Sequence, residues 1–284
     1  MKFSTVLRRM RKSPLFLIGV GLLLFMIIIC STSSLWLYWD PMVSSLRNRF
    51  AEPDYFANGL RGFPFGADPL GRDVLSRLLA GGWVSLKITF AVTAIAMTVG
   101  TVVGLTTGYF GGFFDRLVMR ICDCLQAIPQ LMLAICVVAI LGTSMANLVI
   151  TLSVVGWVGT ARMIRATVLG MKHKEFISAS KVLGASTARI LFKEIFPNTL
   201  TQLMISASGY FGGTILVETN LSYLGMGVPV PTPSWGNMIS DGRAYLSTTP
   251  WVVIAPGVAL MLTVLGFNFL GDGLRDIFDP KNTN

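Results

Sequence analysis

The chain alternates between long apolar runs and shorter polar segments. A helix that crosses a bilayer needs about 20 consecutive apolar residues. Six runs approach or exceed this length, and this pattern predicts an all-α, polytopic membrane protein with six transmembrane helices. Arg162 and Arg165 shorten the fourth run, and we expect both to reach the interface from a cytoplasmic helix end. The approximate bounds of the runs are 15–37, 86–109, 117–141, 145–166, 200–221 and 251–270.

The six runs divide the chain unevenly. Residues 1–85 hold an N-terminal tail, the first transmembrane helix and a polar extracytoplasmic segment. Residues 86–284 hold a core domain of five helices, with a polar cytoplasmic segment at about 170–197. In the outer segment, Asp68 followed by Pro69 suits the start of a helix. Leucines at helical spacing follow, which predicts a short amphipathic helix at the outer interface before the second span.

Composition favours a membrane protein and leaves little room for a soluble nucleotide-binding domain. Hydrophobic residues make up 53% of the chain and charged residues 13%, whereas soluble domains average about 25% charged residues. The net charge of +9 raises nucleic acid or anionic lipid as a partner. Because no aromatic residues interleave the basic ones, we expect the lipid bilayer as the surroundings and no nucleic-acid partner.

The basic residues indicate the orientation of the chain. Residues 1–12 carry five Lys or Arg and no acid, as expected for a cytoplasmic N-terminus. If the helices alternate from there, seven of the 23 Lys and Arg lie outside and the other 16 inside. The positive-inside rule therefore predicts that both termini are cytoplasmic.

Catalytic and metal sites are not indicated. The single histidine, His173, lies in a polar segment, and the four cysteines lack the spacing of a zinc or redox site. Paired glycines are not followed by the Lys-Ser/Thr of a nucleotide loop. Gly100, Gly104 and Gly108 instead form a small-residue stripe suited to close helix packing in lipid. We expect no catalytic residue, no metal ligand and no bound cofactor.

Two polar side chains stand out in the fifth run, Glu218 and Asn220. A carboxylate inside a span is costly and is a functional candidate by default. Two interpretations stay open. The pair lines a translocation or gating pathway, or Glu218 is a hydrogen-bonded anchor near the outer helix end, where water reaches it.

The polar segment between the fourth and fifth runs is the most distinctive part of the chain. Residues 175–197 read EFISASKVLGASTARILFKEIFP. Gly184 separates two helical patterns, which predicts a helix-turn-helix elbow that ends at Pro197. The alternative is an interfacial helix that lysines hold to anionic lipid. Ala179, Gly184 and Ala185 would let a partner approach the backbone closely. The other candidate contact residues of this segment are Glu175, Ser178, Ser180, Lys181 and Pro197.

This segment resembles the Glu-Ala-Ala loop of ABC importer permeases. Ser178-Ala179-Ser180 stands where that loop has Glu-Ala-Ala, Gly184 is in register, and Phe196-Pro197 closes the pattern. In the outer segment, FGADPLGRDVLSRL is similar to the Gly-Thr-Asp-x-x-Gly-Arg-Asp signature of C-type subunits of dipeptide, oligopeptide and nickel importers. Ala67 replaces the threonine, and the matching residues are Gly66, Asp68, Gly71, Arg72 and Asp73.

The resemblance implies a type I ABC importer permease fold in a bacterial or archaeal plasma (inner) membrane. The implied function is ATP-driven import of short peptides, with nickel complexes, glutathione or another small solute as alternatives. A stand-alone secondary transporter or channel is the competing class. The implied partners are a homologous second permease, an extracytoplasmic substrate-binding protein and two ATP-binding subunits, which use ATP and Mg²⁺. Residues 175–197 would enter a groove on an ATPase, with Ser178 removing any salt bridge made by the usual glutamate.

Overall fold

The computed structural model describes residues 8–37, 39–56, 59 and 61–278, and that part of the chain is almost wholly helical. Residues 1–7 and 279–284, at the two termini predicted to be cytoplasmic, lie outside the described residues. The helices are α1 (Pro14–Trp36), α2 (Val74–Phe110), α3 (Gly112–Gln126), α4 (Gln130–Leu141), α5 (Met145–Met171), α6 (Glu175–Val182), α7 (Thr187–Tyr223), α8 (Trp235–Gly242) and α9 (Trp251–Phe278).

Five helices among the described residues are long and apolar enough to cross a membrane, namely α1, α2, α5, α7 and α9. Helices α3 and α4 make a sixth span if the pair counts as one, although their axes differ by 93°. The predicted all-α, multi-pass architecture is confirmed. The third predicted run, 117–141, is interrupted, because Pro129 disfavours the helical conformation at Ile128 and starts α4 in a new direction.

The second span starts earlier than predicted. Asp73 caps α2 by accepting a hydrogen bond from the Ser76 amide at 2.7 Å, and the helix runs for 37 residues. The separate interfacial helix expected from Asp68 is wrong. Asp68 lies in a tight turn, where Gly71 has a φ of +72° and a side chain at Gly71 would overlap the Ser45 carbonyl. The division drawn after residue 85 therefore falls inside a continuous helix.

Close approach of α2 and α5 forms the centre of the bundle. A Cβ atom at Gly100, Gly104 or Gly108 would lie 2.6–2.7 Å from atoms of α5. The predicted role of this glycine stripe in helix packing is confirmed. Helix α9 packs between α1 and α7, where the rings of Phe211 and Phe267 stack with centroids 3.9 Å apart.

The fifth span also starts earlier than predicted. Helix α7 begins at Thr187, passes through a π-helical stretch at Ile190–Ile195 and continues to Tyr223. The expected helix end at Pro197 is wrong. A π-helical turn widens the hydrogen-bond ladder, and this accommodates a proline that has no amide hydrogen to donate. The polar segment is therefore joined rigidly to the fifth span.

Candidate functional site

The turn between α6 and α7 is a well-formed helix C-cap. The Ala185 amide donates to the Ser180 carbonyl and the Gly184 amide to the Lys181 carbonyl, each at 3.0 Å. This is the Schellman pattern, which places its left-handed residue where Gly184 lies, with a φ of +78°. The predicted turn at Gly184 is present. We call the segment from Glu175 to Ile195 the elbow.

The tip of the elbow exposes two apolar side chains. Val182 is 87% exposed and Leu183 86% exposed, and a Cβ atom at Gly184 would touch nothing within 4 Å. Most residues selected from the sequence lie on α6 and in the turn that follows it, whereas Pro197 lies further along α7. Exposed among them are Glu175, Ser178, Ala179, Lys181, Gly184 and Pro197, while Ser180 and Ala185 are partly buried. The sequence interpretation missed Val182 and Leu183, because each fits a helical apolar pattern.

The base of the elbow is fixed to the C-terminal ends of α2 and α5. Ile177, Ile190 and Ile195 are at most 1% exposed and pack in one cluster with apolar side chains of both helices. The Lys181 ammonium lies 5.5 Å from the centroid of the Tyr109 ring, at the end of α2. An exposed apolar tip therefore stands on a rigid apolar base, and we call that base the elbow cluster.

Two ion pairs join α5 to α3 beside this base. The Arg165 guanidinium donates to both carboxylate oxygens of Asp115, at 2.5 and 2.7 Å. Arg162 Nη2 donates to Asp123 Oδ1 at 2.5 Å. Each arginine thus pairs with a carboxylate of the neighbouring helix, a partner that the sequence interpretation did not identify.

On the opposite side of the bundle, the outer signature residues form a charge network. Arg72 Nε lies 2.6 Å from Asp68 Oδ2, and Arg72 Nη2 lies 3.1 Å from Asp241 Oδ2. Arg77 approaches the same Asp68 oxygen at 3.4 Å, and both arginines are buried. Asp241 belongs to α8 and was not selected from the sequence, since 169 residues separate it from Arg72. The network holds the outer segment against α8.

The other signature residues shape the same region. Gly66 has a φ of +71° and approaches Trp251 so closely that a Cβ atom would lie 2.7 Å from the indole nitrogen. Asp73 accepts hydrogen bonds from the amide and the hydroxyl of Ser76. Burial raises the pKa of the Asp73 carboxyl, and the hydrogen bonds from Ser76 act in the opposite direction. The signature thus builds the N-terminal end of α2.

Glu218 is fully buried within its own chain. The Ser222 hydroxyl donates to Glu218 Oε1 at 2.8 Å and accepts from the Val228 amide at 3.1 Å. The expectation that water reaches Glu218 is wrong, and the contacts match the alternative of a hydrogen-bonded anchor. Asn220 is exposed on another face of α7. The two residues therefore do not share a site.

A cavity of about 580 Å³ opens at the break between α3 and α4. Helices α2, α5 and α7 also contribute to its wall, which contains no Lys, Arg, Asp or Glu. A side chain at Gly156 would overlap the Tyr210 hydroxyl, so the wall is tightly built there. The polar lining residues are Gln126, Gln130, Thr160, Ser206 and Tyr210. In the described part of the chain, no group of three or more His, Cys, Asp or Glu could hold a metal ion.

Known proteins match this chain over most of its length. The family model for the inner membrane component of binding-protein-dependent transport systems matches residues 100–284. A dipeptide transport system permease protein, DppC of Alkalihalophilus pseudofirmus, is 42% identical over 217 residues, which are 76% of this chain and 71% of that protein. The oligopeptide transport system permease protein OppC of Bacillus subtilis is 35% identical over 273 residues, 96% of this chain and 88% of that protein.

A third relative differs in its named substrate. The glutathione transport system permease protein GsiD of Pectobacterium atrosepticum is 42% identical over 216 residues, 76% of this chain and 72% of that protein. Among solved structures, an inward-facing MetNI methionine ABC transporter matches with a TM-score of 0.59 and 21% identity. The match covers 72% of this chain and 97% of that one. It confirms the predicted ABC importer permease fold.

Proposed function

Because the chain belongs to the family of inner membrane components of binding-protein-dependent transport systems, we propose that it is the permease subunit of an ATP-driven importer of short peptides. Membership implies a partner ATPase and a substrate-binding protein in general. The complete assembly that we propose has a homologous second permease, two ATP-binding subunits and an extracytoplasmic binding protein. The chain itself is a multi-pass membrane component, and its partner ATPases use the ATP and Mg²⁺.

The exposed apolar tip of the elbow carries this proposal. Val182 and Leu183 stand in water-accessible positions on a base that is almost fully buried. A short helix that presents apolar side chains from a rigid support fits a groove on a partner protein. We propose that this groove belongs to an ATPase, so that closure of the ATPases on ATP moves the elbow and the helices joined to it.

The neutral cavity supports a pathway for peptides. Amide and hydroxyl side chains such as Gln130 and Tyr210 can pair with a peptide main chain whatever its side chains are, and no formal charge in the wall selects for sign. On α7, Gly209 lines the cavity, and both Gly209 and Gly213 have open space where a Cβ atom would be. Small residues let helices approach closely in lipid. We therefore place the second permease against this face, near the exposed Asn220.

Glutathione is the second candidate substrate. The glutathione-named relative is as similar to this chain as the dipeptide-named one, at 42% identity each. Glutathione contains amide bonds like those of a short peptide, so the same uncharged wall can pair with it. The cavity wall offers no carboxylate, imidazole or thiolate to a metal complex, and nickel is accordingly the poorer match.

The orientation follows from the elbow. If the elbow meets an ATPase, its side of the membrane is cytoplasmic, and the charge network around Arg72 lies outside. The same orientation follows from the basic residues, of which 16 of 23 fall on the elbow side when both termini are cytoplasmic.

Purification of the intact complex tests the proposal. An affinity tag on this chain should retain a second permease and ATP-binding subunits, identified by mass spectrometry after mild detergent extraction. Uptake of a labelled dipeptide by the reconstituted complex should then be measured with unlabelled oligopeptide or glutathione as competitor. Competition by peptides supports the proposed substrate, whereas competition by glutathione alone supports the second candidate. A chain that purifies only with copies of itself would contradict the proposal.

A further inference from the structure

We propose that the Asp115–Arg165 and Asp123–Arg162 ion pairs form a clasp that makes α3 and α4 move with the elbow. The four side chains would then be positioning residues for the cavity wall during transport. This inference rests on the proposed function, because it assigns a path from the ATPase-facing elbow to the cavity.

The Asp115–Arg165 pair can fix both distance and angle. Arg165 donates from Nε and from Nη2 to separate oxygens of one carboxylate. Such bidentate pairs are stronger and more specific in geometry than single contacts. The Asp115 side chain is 11% exposed and the Arg165 side chain 28% exposed. The pair is therefore shielded from much of the solvent that weakens ordinary surface ion pairs.

The Asp123–Arg162 pair gives α3 a second point of attachment. The two aspartates are eight residues apart on α3, or about 12 Å at 1.5 Å per residue. The two arginines are three residues apart on α5, or about 4.5 Å. The Arg162 and Asp123 side chains are 38% and 53% exposed, so this pair is the weaker of the two attachments. Two separated attachments restrain α3 from turning about either one, and α3 then follows both translation and tilt of α5.

Helix α3 has little else to hold it. Among its residues only Asp115 and Cys122 are buried, while Phe113, Leu117 and Ile121 are at least 48% exposed. The clasp therefore accounts for much of the attachment of α3 to α5.

The chain changes direction at both ends of α3, so both ends can act as hinges. At its start, Gly111 and Gly112 have φ values of +65° and +68°, and a Cβ atom at either would meet nothing within 4 Å. At its end, the chain bends by 93° before α4. A helix that can pivot at both ends and is held to α5 by two ion pairs transmits movement of α5 to α4.

The other end of this path is the elbow. Ile164 and Val168 lie on α5 beside the two arginines, and both belong to the elbow cluster with 0% exposure. Lys172, which follows α5, donates to the Gly108 carbonyl of α2 at 3.4 Å. A displacement of the elbow therefore moves the inner end of α5. Through the clasp it moves α3, and beyond the bend it moves Gln130 in the cavity wall.

The test compares Arg165→Gln with Arg116→Gln in the complete transporter. Arg116 lies on α3, is exposed, and forms no ion pair with the described residues, which makes it a matched control. For Arg165→Gln we expect ATPase subunits and basal ATP hydrolysis to be retained. Uptake per ATP hydrolysed should fall roughly 2- to 30-fold, the range for residues that carry coupling between sites. The exchanged pair Asp115→Arg with Arg165→Asp should recover much of that loss.

Labelling of Gln130→Cys gives a second readout that a purely stabilising pair would not change. Cys124 and Cys136 are exposed and are first replaced by Ser, whereas Cys30 and Cys122 are buried and stay. The thiol at residue 130 should label at different rates in the nucleotide-free and vanadate-trapped complexes. In Arg165→Gln that difference should shrink, and in Arg116→Gln it should persist.

Several results would overturn the clasp. They are an unchanged uptake per ATP in Arg165→Gln, an unchanged labelling difference at residue 130, or a loss that appears only because the ATPase subunit dissociates. Failure of the exchanged pair to recover any coupling would also count against it. None of these results bears on whether the wild-type complex imports peptides. The experiment can therefore refute the clasp without refuting the proposed function.

Discussion

Replacement of Leu183 by Asp perturbs the elbow tip without disturbing the fold. Leu183 is 86% exposed and is the C-cap of α6, with a φ of −78° and a ψ of 7°. Aspartate tolerates that conformation, and surface substitutions away from special features usually change stability by less than about 0.5 kcal/mol. Gly184 is a poorer choice, because its φ of +78° would strain any side chain whether or not a partner is present.

The expected loss follows from what a docked Leu183 contributes. Burying a leucine side chain is worth about 1.5–3 kcal/mol, and a carboxylate in the same groove would also be costly to desolvate. A total of about 2–4 kcal/mol matches an interface hot spot. This corresponds to about 30- to 1,000-fold weaker binding of the ATPase subunit.

The first assay measures retention of the ATPase subunit on the tagged complex. In the second assay the ATPase subunit is removed and then titrated back onto the remaining membrane component. Leu183→Met serves as the control, because it keeps an apolar side chain of similar volume and should retain binding. If the elbow is instead an anchor to anionic lipid, loss of Lys172, Lys174 and Lys181 should matter and Leu183→Asp should not. Full retention of the ATPase subunit by Leu183→Asp would refute the docking argument.

Three further predictions concern topology, the outer network and the buried carboxylate. A cysteine at Val230, which is 76% exposed, should react with an impermeant reagent from outside and one at Val182 only from inside; reversed labelling would contradict the orientation. Arg72→Gln and Asp241→Asn should each lower the melting temperature, and the double variant should show a coupling energy of about 0.5–3 kcal/mol. Strictly additive losses of stability in the double variant would exclude a shared network. Glu218→Gln should preserve the unfolding midpoint because an amide oxygen still accepts the Ser222 hydrogen bond. Glu218→Ala should lower the free energy of unfolding by about 1–3 kcal/mol. Equal losses of stability in the two variants would indicate that the charge itself matters.

The sequence predicts the existence of the spanning helices better than it predicts their first residues. Asp68-Pro69 and Asp73 are both acceptable helix starts by local rules. Tertiary contacts decide between them, because Arg72 and Arg77 engage the Asp68 carboxylate and leave Asp73 free to cap α2. The bend in the third span had a visible signal in Pro129, since a proline restricts the residue before it.

Some features of the candidate site can likewise be predicted from the local sequence, and others cannot. The turn at Gly184 is a local property, and sequence alone predicts it. The exposure of Leu183 is not local, because the same pattern in a helix usually marks a buried face. The Asp115–Arg165 pair joins residues 50 positions apart, and the Arg72–Asp241 pair joins residues 169 apart. Only the packing of the helices brings such partners together.

Uptake by purified, reconstituted complex tests the central claim most directly. Proteoliposomes that contain this chain with its co-purified partners receive a labelled dipeptide and the binding protein on one side and ATP with Mg²⁺ on the other. The proposed function predicts that uptake requires the ATPase subunits, ATP and the binding protein together. Peptide uptake by this chain alone, driven by an ion gradient and indifferent to ATP, would contradict it.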